Sequence, residues 1–367
     1  MNPNFVRFPF RLLVLLVVAS VSLTALGDDR KFLPHQIVSS TVPASGDQNP
    51  YGVAFVPKEF PDGGTIAPGD VLVSNFNNGM NFQGTGTTII SLVPNGTIAP
   101  NASATVFFQS SLAGLTTALG ILKKGFILVG NVPTTDGTIA TISNGALQVV
   151  DRNGNLLEPL VDSTFLDSPW DLTIDDEGDF AHVFVSNVLS GTVSRLDITV
   201  GSANITVVNK VQIAKNYGHQ PNLAALVLGP TGLAYDRQTD VLYVASTDDN
   251  EIFAIPNAAH ATGAISKGTV VFSDPHLRGP LALIFAPNGH LLTANGDAVN
   301  IDATHPSEIV EFTKEGKFVA EFDVDAAEGG AFGIAAARFT EFGFNLAAVD
   351  DVPSTITVYS LFDHFDF

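Results

Sequence analysis

The chain has 367 residues and a formal net charge of −20 at pH 7, with 37 acidic side chains against 17 basic ones and no cysteine. An acidic surface of this size repels nucleic-acid phosphates and anionic lipid headgroups, which argues against nucleic acid and membrane surfaces as partners. The lack of cysteine excludes disulfides, thiolate nucleophiles and thiolate metal ligands. The fold must therefore be held together by packing or by ring closure.

Residues 1–27 have the composition of a secretory signal peptide. Arg7 and Arg11 form a basic start, residues 12–26 are largely apolar, and small residues precede the first acid at Asp28. The apolar run is shorter than the roughly 20 residues that span a bilayer, so cleavage is the favoured interpretation and an uncleaved anchor is the alternative. We expect a secreted or periplasmic protein of residues 28–367 with no further membrane span. Its formal charge would be −22, because the removed segment carries two arginines and no acid.

Residues 229–255 are the clearest copy of a repeating unit. Three short apolar segments, at 232–235, 241–246 and 251–255, are separated by turns rich in Asp, Asn and Thr. This alternation is typical of antiparallel strands joined by tight turns. One such unit cannot bury both of its faces, so its recurrence predicts neighbouring copies that pack against one another.

Six copies follow one another along the chain, with first strands near residues 51, 115, 169, 230, 280 and 331. The sixth copy ends one strand short, whereas residues 32–40 form a strand-like segment with no neighbour of its own. We therefore predict an all-β fold, a six-bladed β-propeller closed by an N-terminal outer strand, with five or seven blades as the alternatives. Pairing of the two termini removes the open sheet edges that favour aggregation. Short loop helices are expected at 222–228 and 257–261, and an acidic hairpin turn at 175–179.

The repeat pattern resembles that of a known group of propellers. Residues 230–234 read Pro-x-Gly-hydrophobic-Ala, and residues 183–187 read hydrophobic-Phe-Val-x-Asn. This pair resembles NHL-repeat propellers and the broader six-bladed group that includes gluconolactonases and paraoxonase-like hydrolases. The resemblance implies a propeller over nearly all of residues 32–361, but the group mixes binding scaffolds, lyases and hydrolases, so it does not imply one reaction. The gluconolactonase-like pattern also has a Glu on an innermost strand for its calcium chemistry, and the matching starts at 51–52 and 330–331 have none.

The repeat phase predicts which side chains surround one mouth of the central channel. In a propeller, the loops before the innermost strands and after the second strands open at the same end. The second strands are followed by Asn75, Asn131, Asn187, Thr247, Asn295 and Asp350, and the innermost strands begin at Tyr51, Thr116, Trp170 with Asp171, Thr231, Leu281 and Phe332. We predict that this Asn-ringed mouth binds a small molecule or a protein, and its carboxamide and carboxylate oxygens also suit Ca²⁺. The alternative is structural, because Asn at a strand end caps turns.

Three loop histidines bear on whether the chain is an enzyme. His219 lies in the long insertion before the fourth copy, His276 precedes the fifth, and His305 follows Asn295. Converging on one mouth, they would serve acid–base chemistry or bind a transition metal; the alternative is that they are solvated loop residues. The leading function is a non-catalytic binding propeller, and the alternative is a metal-dependent hydrolase or a lyase that uses the same mouth. The sequence leaves this choice and the cofactor open.

Overall fold

The computed structural model describes residues 37–93, 104–296, 299, 308–324, 330–338 and 343–362. Within these residues the chain forms six four-stranded antiparallel sheets and one two-stranded hairpin. The helical elements of this part of the chain are two 3₁₀ turns, Ile139–Thr141 and Ala258–His260. No helix in the described ranges is long and apolar enough to cross a membrane. The signal-peptide prediction for residues 1–27 lies outside the described residues.

Each sheet is one blade of a six-bladed propeller, which confirms the predicted fold class. The strands run from the innermost to the outermost in chain order. Blade 1 comprises β2 (Gln48–Phe55), β3 (Val71–Asn77), β4 (Thr88–Leu92) and β5 (Thr105–Gln109); blade 2 comprises β6 (Leu115–Leu122), β7 (Phe126–Asn131), β8 (Leu147–Asp151) and β9 (Leu156–Leu160); blade 3 comprises β10 (Pro169–Asp176), β11 (Phe180–Asn187), β12 (Thr192–Val200) and β13 (Ile205–Ala214).

The second half of the chain repeats this order after an inserted hairpin. The hairpin consists of β14 (Gln220–Asn222) and β15 (Leu226–Leu228). Blade 4 comprises β16 (Pro230–Asp236), β17 (Val241–Ser246), β18 (Glu251–Pro256) and β19 (Thr269–Phe272); blade 5 comprises β20 (Pro280–Phe285), β21 (Leu291–Asn295), β22 (Glu308–Phe312) and β23 (Phe318–Asp323); blade 6 comprises β24 (Ile334–Ala337), β25 (Gly343–Asp350), β26 (Thr355–Phe362) and, from the N-terminal end, β1 (Ile37–Ser40).

Strand β1 closes the ring as the sequence predicted. It pairs antiparallel with β26, with Ile37 opposite Val358 and Ser40 opposite Thr355. Beyond the strand, the backbone N–H and the side-chain hydroxyl of Thr41 both donate to the carbonyl oxygen of Ser354, at 2.9 Å each. The N-terminal strand thus supplies the outer edge that the last blade lacks.

Apolar cores fill the spaces between neighbouring blades. Side chains of blades 1 and 2 form one cluster around Leu72 and Ile127, and blades 2 and 3 form another around Leu128 and Val183. Equivalent clusters join the later blades, and a further cluster fills the centre of the ring at one end. Every sheet therefore buries both faces, which a single blade cannot do.

The insertion before blade 4 is a β-hairpin, so the predicted helix at 222–228 was wrong. Leu226 adopts a left-handed backbone conformation with φ of 64°, and the strands pair Gln220 with Leu228 and Asn222 with Leu226. The expected short helix at 257–261 is present as the 3₁₀ turn Ala258–His260. The acidic turn also forms as predicted, between β10 and β11, with Gly178 at φ of 88°.

Candidate functional site: the mouth cavity

A cavity of about 280 Å³ lies at the channel end where the second strands finish and the innermost strands begin. We call it the mouth cavity. Innermost strands contribute Tyr51, Trp170 and Leu281, together with Phe332 just before β24. The β3–β4 loop contributes polar side chains, and the hairpin β14–β15 contributes one wall. The lining residues used below are Asn49, Tyr51, Asn77, Gln83, Trp170, Ala224, Phe332 and Asp351.

Aromatic rings form the apolar part of the cavity wall. The ring centroid of Tyr51 lies 5.7 Å from that of Trp170 and 4.7 Å from that of Phe332, and both pairs meet edge to face. Phe76 stacks on Tyr51 at 4.5 Å and is fully buried. Interlocked rings of this kind pack rigidly, so they offer a preformed apolar surface.

The β3–β4 loop and the hairpin meet across the mouth. Nε2 of Gln83 donates to the carbonyl oxygen of Ala224 at 2.5 Å. Because a carbonyl oxygen only accepts, this contact fixes the orientation of the Gln83 carboxamide. The loop returns tightly over the end of β3, where a Cβ on Gly86 would lie 2.3 Å from the backbone oxygen of Asn75. Only glycine fits at this close approach.

Four residues that line the mouth cavity each have a buried polar atom with no hydrogen-bond partner among the described residues. Three are the carboxamide oxygens of Asn49, Asn77 and Gln83, and the fourth is the indole nitrogen of Trp170. Trp170 is 1% exposed and Asn77 is 2% exposed. These atoms lie within the cavity wall, behind its accessible surface, and Asn75 and Gln148 have atoms of the same kind away from the cavity. Buried polar groups in folded proteins are almost always paired, so four such atoms in one wall make this cavity the candidate binding site.

The asparagines at the ends of the second strands are buried inside their own blades. In blade 3, Oδ1 of Asn187 accepts the backbone N–H of Asp167 at 3.0 Å, and its Nδ2 donates to the backbone oxygen of Phe165 at 3.2 Å. In blade 5, Asn295 accepts from the backbone N–H of Arg278 and donates to the backbone oxygen of His276. The carboxamide thus holds the loop that enters the innermost strand.

The remaining members of this set are buried in the same way. Asn131 accepts from the backbone N–H of Ala146 and donates to the backbone oxygen of Ala113. Asn75 donates to the backbone oxygen of Thr41 at 3.0 Å, which ties the closing segment to blade 1. Asp350 is 1% exposed. None of these predicted ligand-binding side chains lines the mouth cavity, so the structure gives them a role in holding loops, and their ligand role stays a prediction.

Of the predicted site residues, Trp170 lines the mouth cavity and its neighbour Asp171 lines a different one. Asp171 faces the central channel, a cavity of about 290 Å³ bounded by the innermost strands. Its carboxylate accepts the backbone N–H groups of Leu172 and Leu233, at 2.8 and 3.1 Å. Burial raises the pKa of Asp171 well above its usual value, although these two hydrogen bonds act in the opposite direction. Asp171 therefore links blades 3 and 4.

The loop histidines do not share a site in the described part of the chain. His219 is exposed beside a small apolar pocket on the other side of the hairpin, and its Nδ1 lies 3.0 Å from the backbone oxygen of Tyr217. The His276 ring stacks on Phe318 at 3.9 Å in the outer part of blade 5. His305 lies outside the described residues. The described ranges contain no group of three or more His, Cys, Asp or Glu side chains that could hold a metal ion.

The described lining of the mouth cavity does not fit a resident Ca²⁺ ion, the cofactor that the resemblance suggests. Calcium sites in proteins combine six to eight oxygen ligands with several carboxylates. Here the one carboxylate in the described lining is that of Asp351. The unpaired N–H of Trp170 in the cavity wall is a hydrogen-bond donor and cannot serve as a ligand for a cation. Where the gluconolactonase pattern has a Glu, Tyr51 contributes an aromatic ring.

Sequence reasoning missed the polar residues of the mouth cavity. Strand β3 runs two residues beyond Asn75, to Asn77, and the following loop supplies Asn81 and Gln83. A signal was present, because residues 77–86 form the polar loop richest in Asn, Gln and Gly after any second strand. Such loops carry function more often than strand ends do.

The sequence matches no protein-family model and no curated protein. The fold is similar to that of several solved structures. They include a gluconolactonase from Xanthomonas campestris (TM-score 0.54, 12% identity, 91% of this chain and 95% of that chain) and regucalcin, a calcium-binding protein from Agrobacterium tumefaciens (TM-score 0.52, 14% identity, 90% and 95%). A luciferin-regenerating enzyme is also similar (TM-score 0.51, 10% identity, 89% and 95%). These comparisons confirm the resemblance to this six-bladed group at the level of the fold.

Proposed function

We propose that this chain is an exported, non-catalytic propeller that binds a small polar molecule in the mouth cavity. The observation that carries the proposal is the set of four buried, unpaired polar atoms on Asn49, Asn77, Gln83 and Trp170. Export is supported by the signal-peptide composition of residues 1–27. A small molecule is favoured over a protein partner because the residues that carry the unpaired atoms line a concave cavity of about 280 Å³.

The energetics favour an occupied cavity. Each buried donor or acceptor left without a partner costs about 1–3 kcal/mol, so four of them in one cavity are expensive unless something fills it. Water fills such cavities when no ligand is present. A ligand that reproduces the hydrogen bonds of the water and also covers the rings of Tyr51 and Phe332 replaces it with a net gain.

The chemistry of the described lining favours binding over catalysis. Asp351 supplies the one carboxylate, and neither histidine nor lysine lines the cavity in the described ranges. A general acid–base pair or a metal-activated water needs at least two such groups in reach of one reacting centre. The alternative function, a metal-dependent hydrolase or a lyase at this mouth, requires a ligand or acid–base set that the described lining residues do not supply.

Trp170 provides a direct test, because it is the single tryptophan of the chain and it lines the cavity. Its fluorescence is recorded while the protein is titrated with three ring compounds of one shape: trans-2-aminocyclohexanol, trans-cyclohexane-1,2-diol and trans-2-hydroxycyclohexanecarboxylate. We expect at least one of them to shift the emission, with a dissociation constant on the order of 1 mM or below.

Two variants connect the signal to the cavity. Asn77→Leu replaces the unpaired carboxamide with an apolar side chain of the same branching and should weaken binding about tenfold or more. Asn153→Leu makes the same exchange at an exposed turn between β8 and β9, at the opposite end of the ring, and should leave binding unchanged. If no compound shifts the emission, or if Asn77→Leu binds like the wild type, the mouth cavity is not the site and the proposal falls.

A further inference from the structure

The polar atoms of the mouth cavity are strongly biased toward acceptance of hydrogen bonds. Three of the four unpaired atoms are the carboxamide oxygens of Asn49, Asn77 and Gln83, and the indole nitrogen of Trp170 is the one donor. The Gln83 oxygen cannot exchange places with its nitrogen, because that nitrogen is held by the carbonyl oxygen of Ala224. This wall therefore favours a ligand that donates more hydrogen bonds than it accepts.

The charges in and around the cavity have the same preference. No Lys, Arg or His is present in the described lining, whereas Asp351 contributes a carboxylate whose Oδ1 accepts the backbone N–H of Gly330, and the whole chain has a formal charge of −20. This arrangement disfavours an anionic ligand and favours a cation. The rings of Tyr51, Trp170 and Phe332 line the cavity, and a ring face that becomes exposed to a ligand attracts cationic groups through the ring quadrupole.

From these observations we infer that the mouth cavity binds a small organic ammonium compound that carries a hydroxyl or carbonyl oxygen near its charged nitrogen. This inference rests on the proposed function of the mouth. A primary ammonium group offers three N–H donors, and the carboxamide oxygens of Asn49, Asn77 and Gln83 in the cavity wall are acceptors that small side-chain movements can bring to it. The neighbouring oxygen accepts from the indole N–H of Trp170, and the apolar part of the molecule contacts the rings. The cavity volume of about 280 Å³ limits the ligand to a small one.

The three ring compounds named above test the inference, because they differ only in the charged or neutral group beside the hydroxyl. At pH 7 we expect trans-2-aminocyclohexanol to bind at least about tenfold more tightly than trans-cyclohexane-1,2-diol, and the carboxylate to bind more weakly than both. Calorimetry provides the affinities independently of Trp170. The preference for the amine should shrink as the pH is raised through the pKa of its ammonium group.

A pair of variants changes the charge at two adjacent positions, Asn77 at the end of β3 and Asn78 at the start of the loop that follows. Asn77→Asp puts a carboxylate on the cavity wall, and its present partner Asn81 can turn its amide to donate to it. Asn78→Asp adds the same charge next to it, at a side chain whose oxygen already accepts from the backbone N–H groups of Met80 and Phe82. We expect Asn77→Asp to tighten binding of the amine about fivefold to tenfold, and Asn78→Asp to change it less than about twofold.

The outcomes separate this inference from the proposed function. If the diol or the carboxylate binds as tightly as the amine, and Asn77→Leu weakens that binding, then the mouth is a binding site but not one for ammonium compounds. If Asn77→Asp fails to favour the amine over the diol, the inference is likewise overturned. If none of the three compounds binds, the proposed function and the inference fail together.

Discussion

The amide nitrogen of Gln83 and the carbonyl oxygen of Ala224 lie 2.5 Å apart, although 141 positions separate them in the chain. The contact joins the β3–β4 loop of blade 1 to the hairpin β14–β15. Behind the hairpin strands, Leu226 and Val227 are buried in the central apolar cluster. One wall of the mouth cavity is therefore anchored by apolar packing at its base and by a hydrogen bond at its tip.

We expect Gln83→Met to loosen the tip of the hairpin while the fold stays intact. Methionine keeps the length of the side chain but cannot donate to Ala224, so the lost bond costs at most about 1–1.5 kcal/mol. Amide hydrogen exchange should become faster in residues 220–228 and remain unchanged in blades 4 and 5. A matched control is Gln109→Met, which alters an exposed glutamine on the outer strand β5. Equal exchange in residues 220–228 of Gln83→Met and the wild type would show that the contact does not hold the hairpin.

The buried asparagines at the ends of the second strands hold loops in place. Substitution of one of them should therefore lower the stability of the fold strongly. Asn187→Ala removes an acceptor for the backbone N–H of Asp167 and donors to Phe165, Thr192 and Ser194. Because it leaves buried partners unpaired, we expect the free energy of unfolding to fall by about 2–4 kcal/mol in urea titrations.

The control for this substitution is Asn204→Ala, in the exposed turn between β12 and β13 of the same blade, which should change stability by less than about 0.5 kcal/mol. If Asn187→Ala is as stable as the control but binds the ring compounds more weakly than the wild type, the asparagines are ligand-binding residues as the sequence first indicated. Loss of stability supports their structural role instead.

The sequence predicted the ring and its closure because both depend on local periodicity. Short apolar runs such as residues 241–246, bounded by Asp and Asn, have few other ways to fold, and the missing strand of blade 6 left one partner for residues 37–40. The hairpin was not predictable in the same way. Residues 223–228, Leu-Ala-Ala-Leu-Val-Leu, favour a helix by intrinsic propensity, and packing into the central cluster overrides that preference.

The polar lining of the mouth depends on still finer tertiary detail. Asn75 and Asn77 are two residues apart on β3, so the strand period alone places them on the same face of the sheet. Thr41 and Thr88 take up the amide of Asn75 inside the blade, whereas Asn77 sits where the strand ends and the cavity begins. No pattern in a single sequence distinguishes these two environments, because the residues that create them lie far away in the chain.

Ring closure predicts how the protein responds to removal of its N-terminal strand. A chain that begins at Pro43 lacks the four residue pairs between β1 and β26 and the two hydrogen bonds from Thr41 to Ser354. At about 1 kcal/mol for each backbone hydrogen bond, it should lose roughly 3 kcal/mol or more of unfolding free energy. The exposed edge of β26 should also promote self-association, measurable by light scattering.

A circular permutant is the control for this deletion. Residues 37–42 are attached behind Phe362 through a short flexible linker, so that the strand reaches β26 from the other end of the chain. This permutant should recover most of the lost stability and scatter no more light than the wild type. If the truncated chain loses unfolding free energy and the permutant recovers it, the β1–β26 pairing is required for stability. A truncated chain as stable as the wild type contradicts this role.

The buried carboxyl of Asp171 predicts a specific pH dependence of stability. Burial raises its pKa in the folded protein above the unfolded value, so the folded state binds its proton more tightly. The stability that this group contributes is complete below about pH 4, the unfolded pKa, and is lost as the pH rises through the folded pKa. Asp171→Asn cannot titrate, and it loses one acceptor for the N–H groups of Leu172 and Leu233 at every pH.

We therefore expect the stability advantage of the wild type over Asp171→Asn to shrink between pH 4 and pH 8, by about 1.4 kcal/mol for each unit that the pKa is raised. Urea unfolding of both proteins at several pH values measures this difference, and Asp70→Asn, at a more exposed carboxyl, shows the smaller change expected of a weaker shift. A constant difference between wild type and Asp171→Asn across this range would show that Asp171 is ionised in the folded protein throughout.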